Sequence, residues 1–343
     1  MNTQQVQAKQ APLKYSATRQ NGVALIAVLM VIAIVVIIAA TMTSRLRLQI
    51  QRQQNIQQQT QAFWYAMAAE QFSRVLLTRT VVGEETVNLS QQWAMQGATF
   101  PVDNGTIAGD ITDLRSCFNL NALQNVSRAN ASAKAEFSVP QQAFQRLLEL
   151  KLADLTMPPE YLTARIADWL DEDSLLMTSG SAEEDDYASL VYPYYAANTL
   201  MASPSELRVI LGITPADYQA LAPYVCVIPD NRDLLINLNT LTEETAVLLA
   251  ALIPQLTEEA AIELINSRPE SGFTSLEDIT SSSQLADIVL TDDVKNMLVF
   301  TSKYFKLTAT AAYLESGFVL TSVLEKTNTN KIKVLARRFG DQG

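Results

Sequence analysis

The residues with the clearest chemical potential in this chain are the carboxylates between Asp168 and Asp186. This stretch, DWLDEDSLLMTSGSAEEDD, holds eight carboxylates in nineteen residues and contains no lysine or arginine. Oxygen donors without histidine or cysteine favour calcium, which accepts about six to eight oxygens at variable geometry. The spacing differs from an EF-hand, because Asp171-Glu172-Asp173 is followed by Ser174-Leu175-Leu176 without a glycine for the sharp turn. The residues therefore predict either a calcium-binding loop or a solvated acidic loop.

The rest of the composition argues against an enzyme. The chain of 343 residues has no histidine, which excludes a Ser-His-Asp or Cys-His arrangement and a histidine-ligated zinc site. Its two cysteines, Cys117 and Cys226, are too few for a tetrahedral thiolate site. Paired carboxylates act in glycosidases and acid proteases, but a loop is a poor place to hold two acids at a fixed separation. We therefore predict no catalytic residues and no enzymatic activity.

A second motif, Ile236-Asn237-Leu238-Asn239-Thr240, precedes two predicted short helices and resembles helix-hairpin-helix modules of the DNA-uptake type. In those modules a Gly-x-Gly between the helices presents backbone amides to a phosphate. The corresponding residues here, Ile253-Pro254-Gln255-Leu256, lack glycine, and the proline removes one amide donor. The formal net charge of −11 also repels phosphate backbones. We expect these hairpins to serve a structural or protein-contact role, without binding nucleic acid.

An apolar segment near the N-terminus is predicted to anchor the chain, with its acidic loop and hairpin motif, in a membrane. Val23–Met42 reads VALIAVLMVIAIVVIIAATM, and as a helix these uncharged residues span about 30 Å, the thickness of a bilayer's hydrocarbon core. An ordinary secretory signal is cut after its apolar region, whereas Gly22 lies directly before this one. Cleavage between Gly22 and Val23 would remove a leader and keep the membrane helix. A plain single-pass anchor without processing is the alternative.

The charges around this segment do not fix its orientation. The leader carries Lys9, Lys14 and Arg19 without an acid, while arginines also follow the apolar run at positions 45, 47 and 52. The positive-inside rule therefore gives no firm answer. Loss of the leader would remove three positive charges and lower the formal net charge from −11 to −14.

The remaining pattern predicts an α+β fold. The sequence favours one continuous helix to about Val82 and then short strand-like runs from Thr86 to Asn121. Short helices are predicted over Gln141–Leu152, Tyr161–Leu170, Pro204–Leu211, Pro215–Tyr224, Thr242–Ile253, Thr257–Ser267 and Ser275–Ile279. Three alternating segments, predicted as strands, are Tyr304–Tyr313, Gly317–Lys326 and Lys331–Phe339. The simplest architecture joins the strands into one antiparallel sheet against the N-terminal helix, with a helical domain inserted into the sheet. The predicted order is a leader (1–22), an N-terminal helix (23–85, transmembrane over 23–42), the first part of the sheet (86–122), the inserted α-helical domain (123–301) and the second part of the sheet (302–343).

Several of these features resemble a known family. Arg19-Gln20-Asn21-Gly22-Val23-Ala24-Leu25 is similar to a prepilin peptidase site, and the predicted architecture is that of a pilin. Most pilin-like subunits place a glutamate at the fifth mature position, where this chain has Ala27. That glutamate is thought to contact the amino terminus of a neighbouring subunit, so its absence suits the first subunit of a filament. With its length and its D-W-x-D-x-D stretch, the chain resembles the K-type minor pseudopilins of type II secretion.

The resemblance implies a function and a metal site. It predicts a non-enzymatic subunit that caps the type II secretion pseudopilus, with an N-terminus that is cut after Gly22 by prepilin peptidase and then methylated. Its partners would be the I- and J-type minor pseudopilins and other pseudopilins, and its soluble part would lie in the periplasm, anchored in the inner membrane. It also implies a Ca²⁺ site in which Asp168 orients the loop, with ligands among Asp171, Asp173, Glu183, Glu184, Asp185 and Asp186.

Three alternatives stay open. Because most of the chain should lie beyond the membrane, we expect Cys117 and Cys226 to form a disulfide in an oxidising compartment, with two buried thiols as the alternative. For the function, a membrane-anchored DNA receptor of a competence system and a minor pilin of a surface type IV pilus are the competing hypotheses. Which of the four acids in the second run coordinate calcium is also undecided.

Overall fold

The longest element is the N-terminal helix α1, Val23–Thr80. The structure is a computed structural model that describes residues 22–124, 137–152 and 157–340, so all of the predicted leader except Gly22 lies outside the described residues. The chain divides into two compact units, with the boundary between Gln57 and Gln58. Within the described ranges, α1 is the helix long and apolar enough to cross a membrane, and its apolar part is fully exposed. The continuous helix predicted to about Val82 is confirmed.

A five-stranded antiparallel sheet forms in the second unit, in the order β1 (Thr99–Val102), β2 (Gly105–Asp113), β7 (Tyr304–Tyr313), β8 (Ser316–Lys326) and β9 (Ile332–Phe339). Its strands come from both ends of the unit's sequence, so β2 pairs with β7 across an intervening domain. Gly105 is needed at the start of β2, because a Cβ there would lie 2.0 Å from the carbonyl oxygen of Ala312. The three C-terminal strands begin and end within one residue of their predicted limits.

The last third of α1 packs on this sheet. Small residues of the helix, Ala66 and Ala69, are buried against Phe305, Leu307 and Ala309 on β7. The alternation of buried and partly exposed residues along β7 places its apolar side chains on the helix-facing side of the sheet. Burial of this face gives the sheet and the helix one shared core, as expected for a pilin-like fold.

An α-helical domain lies between β2 and β7 in sequence and has its own core. Most of its helices begin at a capping residue; Ser138, for example, accepts the amide of Gln141 and its own amide donates to the Gln141 side chain. Phe118 and Leu120 already belong to this core, ahead of the predicted boundary at 123. The helices are α2 Val139–Lys151, α3 Pro159–Leu170, α4 Glu184–Ala188, α5 Pro215–Leu221, α6 Val247–Leu252, α7 Glu258–Asn266, α8 Leu276–Thr280 and α9 Asp292–Met297.

Three details of this domain differ from the sequence prediction. The helix predicted from Thr242 begins only at Val247 and is preceded by a turn, in which the amides of Thr242 and Thr245 each donate to the hydroxyl of the other. The helix predicted over Pro204–Leu211 is a 3₁₀ helix, Pro204–Val209. The short helices α4 and α9 have no counterpart in the prediction. Each of these helices buries one side chain, Tyr187 in α4 and Val294 in α9, which is too few for a recognisable periodic pattern.

The helical domain is tied to its host by a disulfide and by short strands. Cys117 and Cys226 form the predicted disulfide, which links residues 109 apart in sequence. Beside it, β3 (Phe118–Asn119) pairs in parallel with β4 (Val225–Cys226), and β5 (Ile236–Asn237) pairs in parallel with β6 (Leu298–Val299). These contacts hold both ends of the domain next to the sheet.

Candidate functional site

The acidic loop begins at the end of α3, where that helix delivers the first carboxylate. Asp168 is fully buried, and both of its oxygens accept the backbone amide of Met177, at 3.2 and 3.1 Å. Met177 packs in turn against Ala164 and Ala167 of the same helix. Asp168 therefore folds the loop back on α3, the orienting role that the resemblance implied.

Three carboxylates of this loop converge on one point. Asp171, Asp173 and Glu183 each place one ligand atom so that the three atoms lie within 4.8 Å of one another. Asp171 is the C-cap of α3, and Asp173 accepts the amide of Leu175 at 2.8 Å, which fixes a tight turn directly after the helix. Asp171 and Glu183 are buried, whereas Asp173 is exposed. We call these three residues the carboxylate cluster.

Glu183 is a buried member of the cluster whose surroundings oppose its negative charge. It is only 5% exposed, and neither of its carboxylate oxygens has a hydrogen-bond partner within the described residues. Burial, together with the negative charges of Asp168, Asp171 and Asp173, raises its pKa from 4.5 to about 7. A buried carboxylate surrounded by other carboxylates is unfavourable unless a cation or a proton neutralises it.

The other three predicted ligands are not in the cluster. Helix α4 begins at Glu184, so Glu183 keeps an extended backbone while the next three residues turn away on the first helical turn. Asp186 accepts the amide of Glu183 at 3.0 Å, Glu184 accepts the side-chain amide of Asn198 at 3.4 Å, and Asp185 is exposed. The structure thus separates Glu183 from Glu184, Asp185 and Asp186, a distinction that four consecutive acids could not reveal.

The middle of the loop is held by close packing and by an arginine. Gly180 lies against the ring of Tyr161, where a Cβ would come within 2.2 Å of ring carbons, so only glycine fits. Arg165 donates to the carbonyl oxygens of Gly180 and Leu211, each at 2.9 Å. On the far side, Tyr187 of α4 is buried against the ring of Trp169, with centroids 5.3 Å apart. These contacts fix where Asp171 and Glu183 stand.

The cluster fits a hard divalent cation. Its ligands are carboxylate oxygens from two buried residues and one exposed residue, and both oxygens of Glu183 lack a hydrogen-bond donor within the described residues. Calcium accepts such ligands at variable geometry and completes its coordination with backbone oxygens or water, whereas Mg²⁺ demands near-octahedral geometry. A divalent cation held by these three carboxylates would neutralise the negative charge of the loop and fix its conformation. Such a cation would have a structural role.

The predicted processing site lies where α1 begins. Val23 is the first residue of α1, and Gly22 adopts a φ of +106°, outside the helix. Both residues are exposed, as is Ala27 at the position where most pilin-like subunits have glutamate. Residues 1–21 of the leader lie outside the described part of the chain.

The second motif proves to be buried structure. Asn237 donates to the carbonyl oxygen of Val87 at 3.0 Å and to the carboxylate of Asp113 at 2.9 Å. Asn239 donates to the carbonyl oxygen of Phe273 at 2.8 Å and accepts its amide at 2.7 Å. Both asparagines are fully buried, so they join backbone segments instead of facing a ligand. For Asn237 and Asn239 this is the structural one of the two roles predicted, structural or protein contact.

A buried polar network around Asp113 has no signal in the sequence. Asp113 is buried at the end of β2 and accepts hydrogen bonds from Asn237, Thr240 and Ser302, and from the amide of Arg115. These residues join the sheet to the helical domain. No local pattern marks them, because Asp113 stands 124 residues before Asn237 and 189 before Ser302. Only the buried pairing of the two regions reveals their role.

Comparison with known proteins relates this architecture to one family. A model described as type II secretion system (T2SS), protein K, matches residues 116–230, and a second with the same description matches residues 236–301. Type II secretion system protein K of Aeromonas hydrophila is 37% identical over 330 residues, which cover 95% of this chain and 98% of the relative. The chain belongs to the type II secretion system protein K family. The protein K of Pectobacterium carotovorum subsp. carotovorum is 36% identical, over 94% of this chain and 97% of the relative.

A solved structure agrees with this assignment. A chain of the GspK-GspI-GspJ complex from the type 2 secretion system of enterotoxigenic Escherichia coli matches with a TM-score of 0.73 and 29% identity, over 86% of this chain and 100% of that chain. The chain is thus a membrane-anchored member of the protein K family with a pilin-like fold and an inserted helical domain. Within it, the first matched range contains both cysteines and the carboxylate cluster, and the second begins at Ile236.

Proposed function

We propose that this chain is a minor pseudopilin that caps the tip of the type II secretion pseudopilus together with I- and J-type minor pseudopilins. The observation that carries this proposal is the likeness to a chain of the GspK-GspI-GspJ complex, which extends over all of that chain. In this role the protein is a non-enzymatic subunit of the inner membrane, and its soluble part lies in the periplasm. It supports the export of folded proteins across the outer membrane.

Two features of the chain fit the tip position. Ala27 offers no carboxylate to the amino terminus of a neighbouring subunit, and a tip subunit has no neighbour above it that needs this contact. The helical domain adds well over a hundred residues to the pilin-like part, on the scale of a whole small domain. Bulk of that size on one subunit would block addition of further subunits beyond it.

Complex formation is the direct test. The full chain, co-expressed with I- and J-type pseudopilins and with prepilin peptidase of the same secretion system, should co-purify with both. Its intact mass should show loss of residues 1–22, with or without one added methyl group. Failure to co-purify would overturn the tip-complex proposal. A chain of full mass with and without the peptidase would overturn the pilin-type pathway.

We further propose that the carboxylate cluster binds one Ca²⁺ through Asp171, Asp173 and Glu183. The convergence of three carboxylates and the two unsatisfied buried oxygens of Glu183 support it. Bound calcium would supply positive charge that offsets the repulsion between the carboxylates of the loop. The loop would then keep the conformation that the contacts of Asp168 and Gly180 define. The ion's contribution is to stability and shape.

Metal removal tests this second proposal. EDTA should lower the melting temperature of the full chain in detergent, and Ca²⁺ should restore it more completely than Mg²⁺. Glu183→Gln keeps the size of the side chain but removes its charge, and it should abolish most of the response to calcium. Asp185→Gln changes charge in the same acidic run but outside the cluster and should keep the response. Identical melting curves with EDTA, Ca²⁺ and Mg²⁺ would contradict calcium binding.

A further inference from the structure

The part of α1 just beyond its apolar segment carries an unusual charge distribution. Between Val23 and Ala69 the charged residues are Arg45, Arg47 and Arg52, and no acid accompanies them. The next acid, Glu70, lies 18 residues beyond Arg52, about 27 Å along a helix. That distance exceeds the screening length of about 8 Å at physiological ionic strength. Three positive charges of α1 therefore lie beyond the screening length of the nearest acid in that helix, in a protein whose formal net charge is −11.

Their distance from the apolar segment matches a lipid headgroup layer. Arg45 lies three residues after Met42 and Arg52 lies ten, which in a helix is about 4.5 and 15 Å. The headgroup region of a bilayer extends about 5–8 Å beyond the hydrocarbon core on each side. Arg45 and Arg47 thus fall within the headgroups. Arg52 falls within reach of their outer edge, because an arginine side chain extends along the helix toward the interface.

The arrangement around the helix favours lipid over a single protein partner. Arg45 and Arg52 are seven residues apart and share one face, while Arg47 is two residues from Arg45 and points to nearly the opposite face. All three are exposed on α1. A contact with one neighbouring helix would need the charges on one stripe, whereas a surrounding layer of headgroups accepts charge on every side.

We propose that Arg45, Arg47 and Arg52 form a girdle that binds the phosphates of anionic phospholipids at the end of the membrane helix. Guanidinium groups pair with phosphate oxygens through two parallel hydrogen bonds, so such contacts are geometrically specific as well as electrostatic. The girdle sets the depth of the helix in the bilayer. It is the cationic anchor that the membrane segment keeps once the basic leader is gone.

The selectivity of the full chain for lipid neighbours tests this inference. The chain is reconstituted into bilayers of phosphatidylcholine containing trace spin-labelled phosphatidylglycerol or spin-labelled phosphatidylcholine, and electron paramagnetic resonance measures the motion-restricted fraction of each. We expect phosphatidylglycerol to be preferred by at least about fivefold, the factor that one arginine near an anionic surface gives. The preference should fall in 0.5 M NaCl, because salt screens exposed charges.

Variants separate the girdle from the overall charge. R45Q/R47Q/R52Q should bring the preference close to one, while R45K/R47K/R52K should keep most of it; glutamine and lysine both favour helix, so α1 should persist. The matched control K331Q/K333Q/R338Q removes three exposed positive charges at and beside β9 and should leave the preference unchanged.

An unchanged preference in the arginine-to-glutamine variant would overturn the proposal. So would an equal loss in the control, which would make net charge the cause. Loss of co-purification with I- and J-type pseudopilins at unchanged lipid preference would assign the arginines to protein contacts instead.

Discussion

The sheet region and the helical domain of this protein satisfy their buried polar groups in different ways. In the sheet region, β7 and β8 are 10 and 11 residues long, and their backbones pair with each other along their whole length. In the helical domain, the helices from α4 to α9 contain five to nine residues, fewer than an isolated helix needs to be stable in water. The short helices therefore depend on contacts that come from elsewhere in the domain.

The helices pack their apolar side chains into the domain's core, and buried asparagines link the irregular segments between them. Asn119 donates to the carbonyl oxygens of Asn231 and Asp233, and Asn121 donates to those of Met201 and Ile228. Asn239 joins the segment around Phe273 to the chain before β7. In each case an amide replaces the backbone partner that regular structure would have supplied. The sheet region needs few such side chains; its buried Glu70 is a charged exception.

The comparison suggests that the helical domain is held by a few specific links, whereas the sheet region is held by repetition. Loss of one link should therefore loosen the helical domain over a wide range of residues. Loss of one contact in the sheet should remain local. Hydrogen exchange that resolves the two regions can distinguish these behaviours.

The largest expected effect is that of the disulfide. Cys117→Ser with Cys226→Ser should lower the free energy of unfolding by about 4–5 kcal/mol in the chain-entropy model, because the bridge closes a loop of about 110 residues. Hydrogen-exchange protection should fall in α2 to α7 more than in β7 and β8. Treatment of the unmodified chain with a reductant should reproduce the same loss. A uniform loss in both regions would show that the bridge stabilises the fold as a whole.

The next largest effect tests the sheet region through Glu70. This carboxylate is fully buried on α1 and accepts two hydrogen bonds from Arg337, at 2.7 and 2.8 Å, and one from Ser322 at 2.7 Å. Glu70→Ala leaves the fully buried hydroxyl of Ser322 without its acceptor and removes the partner of the exposed Arg337, so it should lower stability by about 3 kcal/mol, as measured by urea unfolding. Glu315→Gln, at an exposed position beyond β7, should change stability by less than about 0.5 kcal/mol.

The same residue predicts a pH dependence. Burial raises the pKa of Glu70, but hydrogen bonds from Arg337 and Ser322 outweigh it, so the pKa lies below its ordinary value of 4.5. A carboxyl with a lowered pKa stabilises the fold above its unfolded pKa and loses that contribution as the pH falls through its folded pKa. The stability difference between the unmodified chain and Glu70→Gln should therefore be constant above about pH 5 and shrink below pH 4.5. A difference independent of pH would contradict the assigned ionisation.

The two regions also differ in how far the sequence could predict them. Local sequence patterns mark the long helix and the three C-terminal strands. The helix has an uninterrupted apolar run, and the strands alternate polar and apolar residues. Their predicted limits agree with the structure to within about two residues. The disulfide could be predicted because two cysteines allow one pairing. The short helices α4 and α9 could not, because each buries one side chain in the core of the domain and leaves no periodic trace.

The candidate metal site shows the same limit. The acidic run identified the loop, and Asp171 and Asp173 could be chosen because the D-W-x-D-x-D stretch resembles that of the K-type family. Among the four acids of the second run, however, the start of α4 decides which one joins them. That start depends on Tyr187 packing against Trp169, a contact between residues on different elements. The Glu70–Arg337 pair was equally invisible, since its members stand 267 residues apart.

The smallest of these effects tests one link in the helical domain. Asn239→Ala leaves the amide and the carbonyl oxygen of Phe273 without their buried partner and should lower the free energy of unfolding by about 2–3 kcal/mol. Gly272 has a φ of +83°, and a Cβ there would come within 2.7 Å of the Asn239 side chain, so the turn before Phe273 packs directly on Asn239. Asn328→Ala, at an exposed turn between β8 and β9, is the matched control and should have almost no effect. If protection falls from Ile236 to Thr301 while β7 to β9 keep theirs, the helical domain is held by separate links. If only the residues around Phe273 exchange faster, it shares the local robustness of the sheet, and the contrast between the two regions is wrong.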